Sequence, residues 1–217
     1  EEVYFGENGI IANAKPGAVL IDMTTTSPKL SERIYAEARA RGISALDAPV
    51  SGGDSGAKAG TLSIMVGGDR EAFDTCQDVL AAMGTNIIYE GGAGKGQHTK
   101  MANQIALAGA IASVSEAIAY ARRAGLDVET MLASISKGAA GSWQMTNNAP
   151  KMAAGDMAPG FFIKHFIKDM AIADEEAKAA GLTMPVLEDV LEMYRDLDRR
   201  GEGDLGTQAV IHYFDEQ

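Results

Sequence analysis

Cysteine is all but missing from this chain. Cys76 stands alone, so no internal disulfide can form, and a single thiol fits a reducing compartment such as the cytoplasm. Histidine is scarce as well: His98, His165 and His212 show no metal-ligand spacing with one another or with Cys76, and no metal site is expected. No Ser-His-Asp or Cys-His set and no paired catalytic carboxylates stand out. Basic residues number 19 against 30 acidic ones, for a net charge of −11 and a pI of about 4.7. That field argues against nucleic-acid or acidic-membrane partners, and any anion site must be a local exception to it. No stretch reads as a membrane span; residues 101–120 come closest but carry Asn103, Gln104, Ser113, Ser115 and Glu116. No signal peptide is visible. Methionine is absent from position 1, which is Glu1, and the pattern starts midway, so an upstream part is expected.

What is present is enough for a core. The chain has 217 residues, 46% of them hydrophobic, which suits one large domain or two small ones. Pro16-Gly17 is a turn signal, and Ala18–Met23 is a branched, apolar run that reads as a buried strand. Ser27-Pro28 is a helix start for residues 28–41. Strands follow at 43–50 and 61–66, with a loop carrying Gly56 and Gly60 between them. A helix over 69–83 and a strand over 85–90 complete an α/β series with a mainly parallel or mixed sheet. Beyond Gly96 no strand is predicted. Helices are expected at 98–124, 127–137, 142–154, 165–180, 184–199 and 206–214. The division predicted is therefore 1–95 and 96–217. Trp143, the only tryptophan, reads as a core filler or as the wall of a cleft, and the core is the favoured expectation.

The chain is organised around Gly94-Lys95-Gly96-Gln97-His98-Thr99-Lys100-Met101-Ala102-Asn103 and the apolar helix that follows. Its glycines match neither a dinucleotide fingerprint, since Gln97 stands at the third glycine position, nor a P-loop, since Gly96 follows Lys95. They let the chain turn from sheet to helix. Lys100 and Asn103 stand one turn apart on one helix face, either as a snorkelling lysine beside a backbone-satisfied asparagine or as an acid–base lysine with a substrate-orienting amide. Partial burial would lower that lysine's pKa toward working pH. Ser51-Gly52-Gly53 lies past a strand, either as a plain turn or as a nest for a carboxylate. Thr24-Thr25-Thr26 lies past another, either as helix-capping and turn-forming residues or at a strand end where open α/β sheets gather ligands. Lys168-Asp169 by itself reads as a solvated helix face.

Four segments in register resemble the β-hydroxyacid dehydrogenase family: Ile21-Asp22-Met23-Thr24-Thr25-Thr26-Ser27-Pro28, then Asp47-Ala48-Pro49-Val50-Ser51-Gly52-Gly53, then Gly94-x-Gly96-x-x-x-Lys100-x-x-Asn103, then Pro159-Gly160-Phe161 with Lys168-Asp169-Met170. The resemblance implies the later part of a Rossmann-type dinucleotide-binding domain over 1–95. An all-α domain like that of 6-phosphogluconate dehydrogenase would follow over 96–217. It implies NAD or NADP as cofactor and a small β-hydroxy acid or its semialdehyde, a carboxylate, as substrate. By position, Lys100 would be the catalytic acid–base and Asn103 would hold substrate. Ser51, Gly52 and Gly53 would cradle its carboxylate, and Thr25 and Lys168 would contact the cofactor. The family's opening strand with Gly-x-Gly-x-x-Gly would precede Glu1, so residues 1–217 alone are expected to be inactive. A homodimer or homotetramer in the cytoplasm is implied. Two other readings are an imine reductase, against which Lys100 argues, and a non-catalytic scaffold that keeps the helical dimerisation domain.

Overall fold

In the computed structural model, which describes residues 1–215, short helices α1 (Glu2–Phe5) and α2 (Ile10–Asn13) precede the first strand, β1 (Val19–Asp22). Ser27 ends the following loop as an N-cap: its hydroxyl accepts from the Leu30 N–H at 3.2 Å. Pro28 then opens α3 (Pro28–Arg39) at a position whose N–H would have no helical acceptor. Strand β2 (Ser44–Asp47) runs parallel to β1, in register from Val19–Ser44 to Asp22–Asp47. Ala48-Pro49 interrupts it, because proline cannot donate to a ladder, and β3 (Val50–Ser51) continues beyond.

Residues 53–59, expected as loop, form helix α4 (Gly53–Ala59), with Lys58 pairing to Asp54 one turn earlier at 2.6 Å. Its glycines hide it from pattern reading. Strand β4 (Leu62–Gly67) is antiparallel to β3 and parallel to β5 (Gly84–Gly91), so the sheet is mixed. All of β4 except Ser63 is buried, as befits a strand covered on both faces. The predicted single helix over 69–83 is two, α5 (Arg70–Thr75) and α6 (Gln77–Ala81), broken at Cys76. The Thr75 hydroxyl bonds back to the Glu71 carbonyl just before the break, a pattern that bends helices. Leu46, Ile64, Val66, Phe73 and Leu80 form the core of this part.

The helical part comprises α7 (Lys95–Arg123), α8 (Val128–Ile135), α9 (Trp143–Asn147), α10 (Ala149–Ala154), α11 (Ile163–Ala179), α12 (Pro185–Arg199), a 3₁₀ turn (Thr207–Ile211) and α13 (His212–Asp215). The chain divides into two compact units, Glu1–Ala102 and Asn103–Gln217, a division that falls inside α7. In the second unit Phe166 packs edge-on against Tyr194, with ring centroids 5.1 Å apart and both side chains wholly buried. The Tyr194 hydroxyl donates to the Thr207 carbonyl at 2.6 Å, which satisfies its one polar atom. Two sequence expectations are corrected here. By length and composition α7 is apolar enough to cross a membrane, although 44% of its most apolar window is buried within the protein. Ala108, Ile111, Ile118 and Ala121 on α7 are all buried at helical spacing, so that apolarity serves a core. Trp143 is not in the core but 64% exposed: the Ser142 cap starts α9 so that Met145, at 5% exposure, points inward instead.

Candidate active site

Strands β1 and β2 end side by side, each on a buried aspartate. Asp22 and Asp47 are register partners. Asp22 Oδ1 accepts from the Thr24 N–H at 3.0 Å and the Thr24 hydroxyl at 2.7 Å, which curls the chain into an Asx turn after β1. Asp47 reaches the start of α7. Its Oδ1 accepts from the Gly94 N–H at 2.8 Å and its Oδ2 from the Gln97 N–H at 2.9 Å. The first N–H groups of a helix lack helical acceptors, so this carboxylate caps α7 from a distant strand. Burial pushes the Asp47 carboxyl up from its ordinary value, and the N–H groups of Gln97 and Gly94 pull it back. The contact requires glycine at 96, where a Cβ would lie 2.4 Å from the Met65 carbonyl oxygen and 2.6 Å from that of Asp47. The Gly94-x-Gly96 spacing thus serves close packing of helix on sheet.

Gln97 is wholly buried, and its side chain turns back to the threonine loop. Nε2 donates to the Thr24 carbonyl at 2.7 Å, and Oε1 accepts from the Thr26 N–H at 3.2 Å. Thr25, half-buried, lies between those two anchors. Lys100 follows one turn later and is 7% exposed. Two of the sequence-predicted residues, Thr25 and Lys100, are therefore carried by one helical turn. Ser51, Gly52 and Gly53 form a separate corner. Ser51 ends β3 opposite Ser63, and Gly52 at φ +135° and Gly53 at φ +62° turn the chain into α4 with both glycines exposed. A side chain at 52 would press on Leu62 Cδ2 at 3.1 Å.

In the helical unit a second network joins Asn103 and Lys168. Asn103 Nδ2 donates to Gln104 Oε1 at 2.7 Å, and Gln104 Nε2 donates to Asp169 Oδ2 at 2.7 Å. Lys168 Nζ lies 3.0 Å from Asp169 Oδ1. Gln104 and Asp169 are 1% and 3% exposed, while Lys168 is exposed. Sequence reasoning gave no role to Asp47, Gln97, Gln104 or Asp169. The available signal was two glutamines, Gln97 and Gln104, seven apart in an apolar helix, where buried polar side chains require partners. Another Gly-x-Gly-x-x-Gly spacing, Gly201 to Gly206, follows helix α12 rather than a strand and packs on Asp198 and Gln208, so it lacks the context of a dinucleotide turn.

Comparison with known proteins identifies the family of the chain. Residues 94–214, more than half of the chain, match the family described as NAD-binding of NADP-dependent 3-hydroxyisobutyrate dehydrogenase. Residues 1–91 match the NAD binding domain of 6-phosphogluconate dehydrogenase. The chain belongs to the β-hydroxyacid dehydrogenase family. It is 56% identical to an uncharacterized oxidoreductase of Bacillus subtilis over 97% of its own length and 73% of that relative's. It is 42% identical to a probable mitochondrial 3-hydroxyisobutyrate dehydrogenase-like protein of Arabidopsis thaliana, covering 94% of this chain and 61% of the plant protein. Among solved structures, the 3-hydroxyisobutyrate dehydrogenase of Mycobacterium tuberculosis with L-serine superposes with a TM-score of 0.86 at 33% identity, covering 93% of this chain and 72% of that one. The fold of this β-hydroxyacid dehydrogenase is a Rossmann-type NAD-binding sheet unit followed by a helical unit, and its cofactor is NAD or NADP.

The residues at the ends of β1 and β2 are compatible with such a cofactor. Asp22 and Asp47, whose charge would repel a dinucleotide, are buried and engaged. The threonine loop follows at the carboxyl end of β1, where ligands of this fold gather.

Proposed function

We propose that this NAD(P)-dependent oxidoreductase interconverts a small β-hydroxy acid and its semialdehyde, of the 3-hydroxyisobutyrate or tartronate semialdehyde type, with Lys100 as general acid–base. The observation that carries the reading is a lysine only 7% exposed, one turn beyond the Asp47-capped start of α7 that also holds the threonine loop. A lysine is rarely so buried unless it is paired or put to use. The relatives named above, one studied with L-serine, support a short hydroxy-carboxylate substrate.

When bound, the nicotinamide gives a hydride in reduction and takes one in oxidation. In the proposed scheme the Ser51 hydroxyl and the backbone N–H groups of Gly52 and Gly53 receive the substrate carboxylate, as successive donors in a turn can. Lys100 Nζ–H donates its proton to the carbonyl oxygen as the new C–H bond forms, so the carbonyl becomes a hydroxyl and the lysine a neutral amine that water reprotonates. Oxidation runs this transfer backward. Asn103, on the same side of α7, holds the substrate oxygen through its amide, and Thr25 and Lys168 contact the cofactor. Residues 1–95 would serve as the cofactor side and 96–217 as the substrate and dimerisation side, within a cytoplasmic homodimer or homotetramer. Buried Cys76 as the only thiol supports the compartment. The tests use the native protein.

The test is Lys100→Ala, assayed on both substrate types in both directions by nicotinamide absorbance. The expected loss in kcat is about 100-fold to 10,000-fold. A variant within a few-fold of wild type would remove the acid–base role.

A further inference from the structure

We infer that Gln97 is the positioning residue of the cofactor loop: its carboxamide holds Thr24 and Thr26 so that Thr25 and Lys100 keep a fixed registry on one turn of α7. The inference rests on the proposed placing of Thr25 at the nicotinamide end.

Three observations carry it. The first is the two-point grip itself. Nε2 gives a proton to the Thr24 carbonyl and Oε1 takes one from the Thr26 N–H, so the single residue between them is clasped on both sides. Only a carboxamide offers one donor and one acceptor at that spacing; a carboxylate would set an oxygen against the Thr24 carbonyl, and an apolar side chain would leave both groups unmet. The second is the support behind the grip. Gln97 has no exposed surface, and its own N–H is fixed by Asp47 at 2.9 Å, so the carboxamide works from an anchored backbone. The third is separation and sequence order. Gln97 lies 71 residues from Thr26, and Lys100 follows it by three, so the loop and the proposed proton donor share one mount. Asp22 already steadies Thr24 from the strand side, which leaves the Gln97 contacts to set the far end of the loop.

The test uses the native protein and the variant Gln97→Met, which keeps side-chain volume and the Asp47 contact to the backbone but removes both loop contacts. Amide hydrogen exchange over residues 24–26 is read without ligand. Binding constants are read for the dinucleotide and for ADP-ribose, or its 2′-phosphate if NADP is preferred, which lacks the nicotinamide. Loop exchange faster by about tenfold and dinucleotide Kd weaker by about tenfold are expected, with ADP-ribose Kd changed less than twofold. Gln97→Asn, which keeps the carboxamide but falls short of the loop, is expected to give the same split. Equal weakening of both ligands, or an unchanged dinucleotide Kd, overturns the inference. So does the unfolding of both variants, which would make Gln97 a folding determinant only. Wild-type protein that binds ADP-ribose but gains nothing from the nicotinamide would overturn the Thr25 placing itself. An active Lys100→Ala protein with the split intact would sink only the acid–base reading.

Discussion

Asp47 and Asp169 invite comparison: both are buried carboxylates, and both end on a residue of α7. Asp47 in the sheet unit accepts from two backbone N–H groups, those of Gly94 and Gln97. Asp169 in the helical unit is met by side chains: Gln104 donates to one oxygen, and Lys168 forms an ion pair with the other. The first design depends on the acceptor and on glycines small enough to let it approach, and it is indifferent to most side chains at the helix start. The second depends on every member, because each link is a replaceable group. Backbone anchoring fixes where α7 begins; side-chain anchoring orients the amide of Asn103 and the amine of Lys168.

Removing the backbone anchor should have the largest effect. Asp47→Ala strands two buried N–H groups and is expected to cost about 2–4 kcal/mol in urea unfolding. A loss below about 0.5 kcal/mol would mean that α7 starts where it does without the cap. Breaking the side-chain anchor should cost less. Asp169→Asn keeps one acceptor oxygen but loses the charge beside Lys168, and about 1–2 kcal/mol is expected. A double-mutant cycle with Gln104→Leu should show coupling of about 1 kcal/mol, and purely additive losses would break the proposed linkage.

Alkaline titration sharpens the contrast further. Burial, then the nearby Asp22 carboxylate, push the Tyr4 phenol of the sheet unit up to about 12 from an ordinary 10.0. Wholly buried Tyr194 in the helical unit is also raised, by burial alone. In each case the unfolded chain loses its proton first, so stability falls as pH rises above about 10. The Tyr4 contribution levels off beyond about 12 and should vanish in Tyr4→Phe, whereas the decline from Tyr194 persists in that variant. A Tyr4→Phe profile identical to wild type between those two pH values would refute the assignment. The smallest effect is expected at Trp143, where replacement by alanine should alter stability by no more than about 0.5 kcal/mol because the ring is mostly in water.

Much of the scaffold was legible beforehand. Branched apolar runs bounded by Pro16-Gly17 and Gly67-Gly68 mark strands, and Ser27-Pro28 marks a helix start, because those signals are local. Four motifs in register identified the family. Helix α4 was not legible, since Gly53 and Gly56 imitate a loop and tertiary packing overrides their weak propensity. Trp143 misled because bulk and apolarity predict burial only on average, and a polar cap one residue earlier decided which side chain of α9 turned inward. The polar supports of the candidate site were the least legible part. Gln97 meets Thr24 across 73 residues and Gln104 meets Asp169 across 65, and periodicity carries no information about partners that far away.

The lone thiol and the lone indole fall on opposite sides of the division inside α7. Cys76 is packed beneath the sheet, where burial pushes its thiol up and slows its chemistry. Trp143 faces solvent from the helical unit. Each half of the molecule therefore carries its own natural probe. Modification by a thiol reagent will time the opening of one half while emission and iodide quenching follow the other, with no label added.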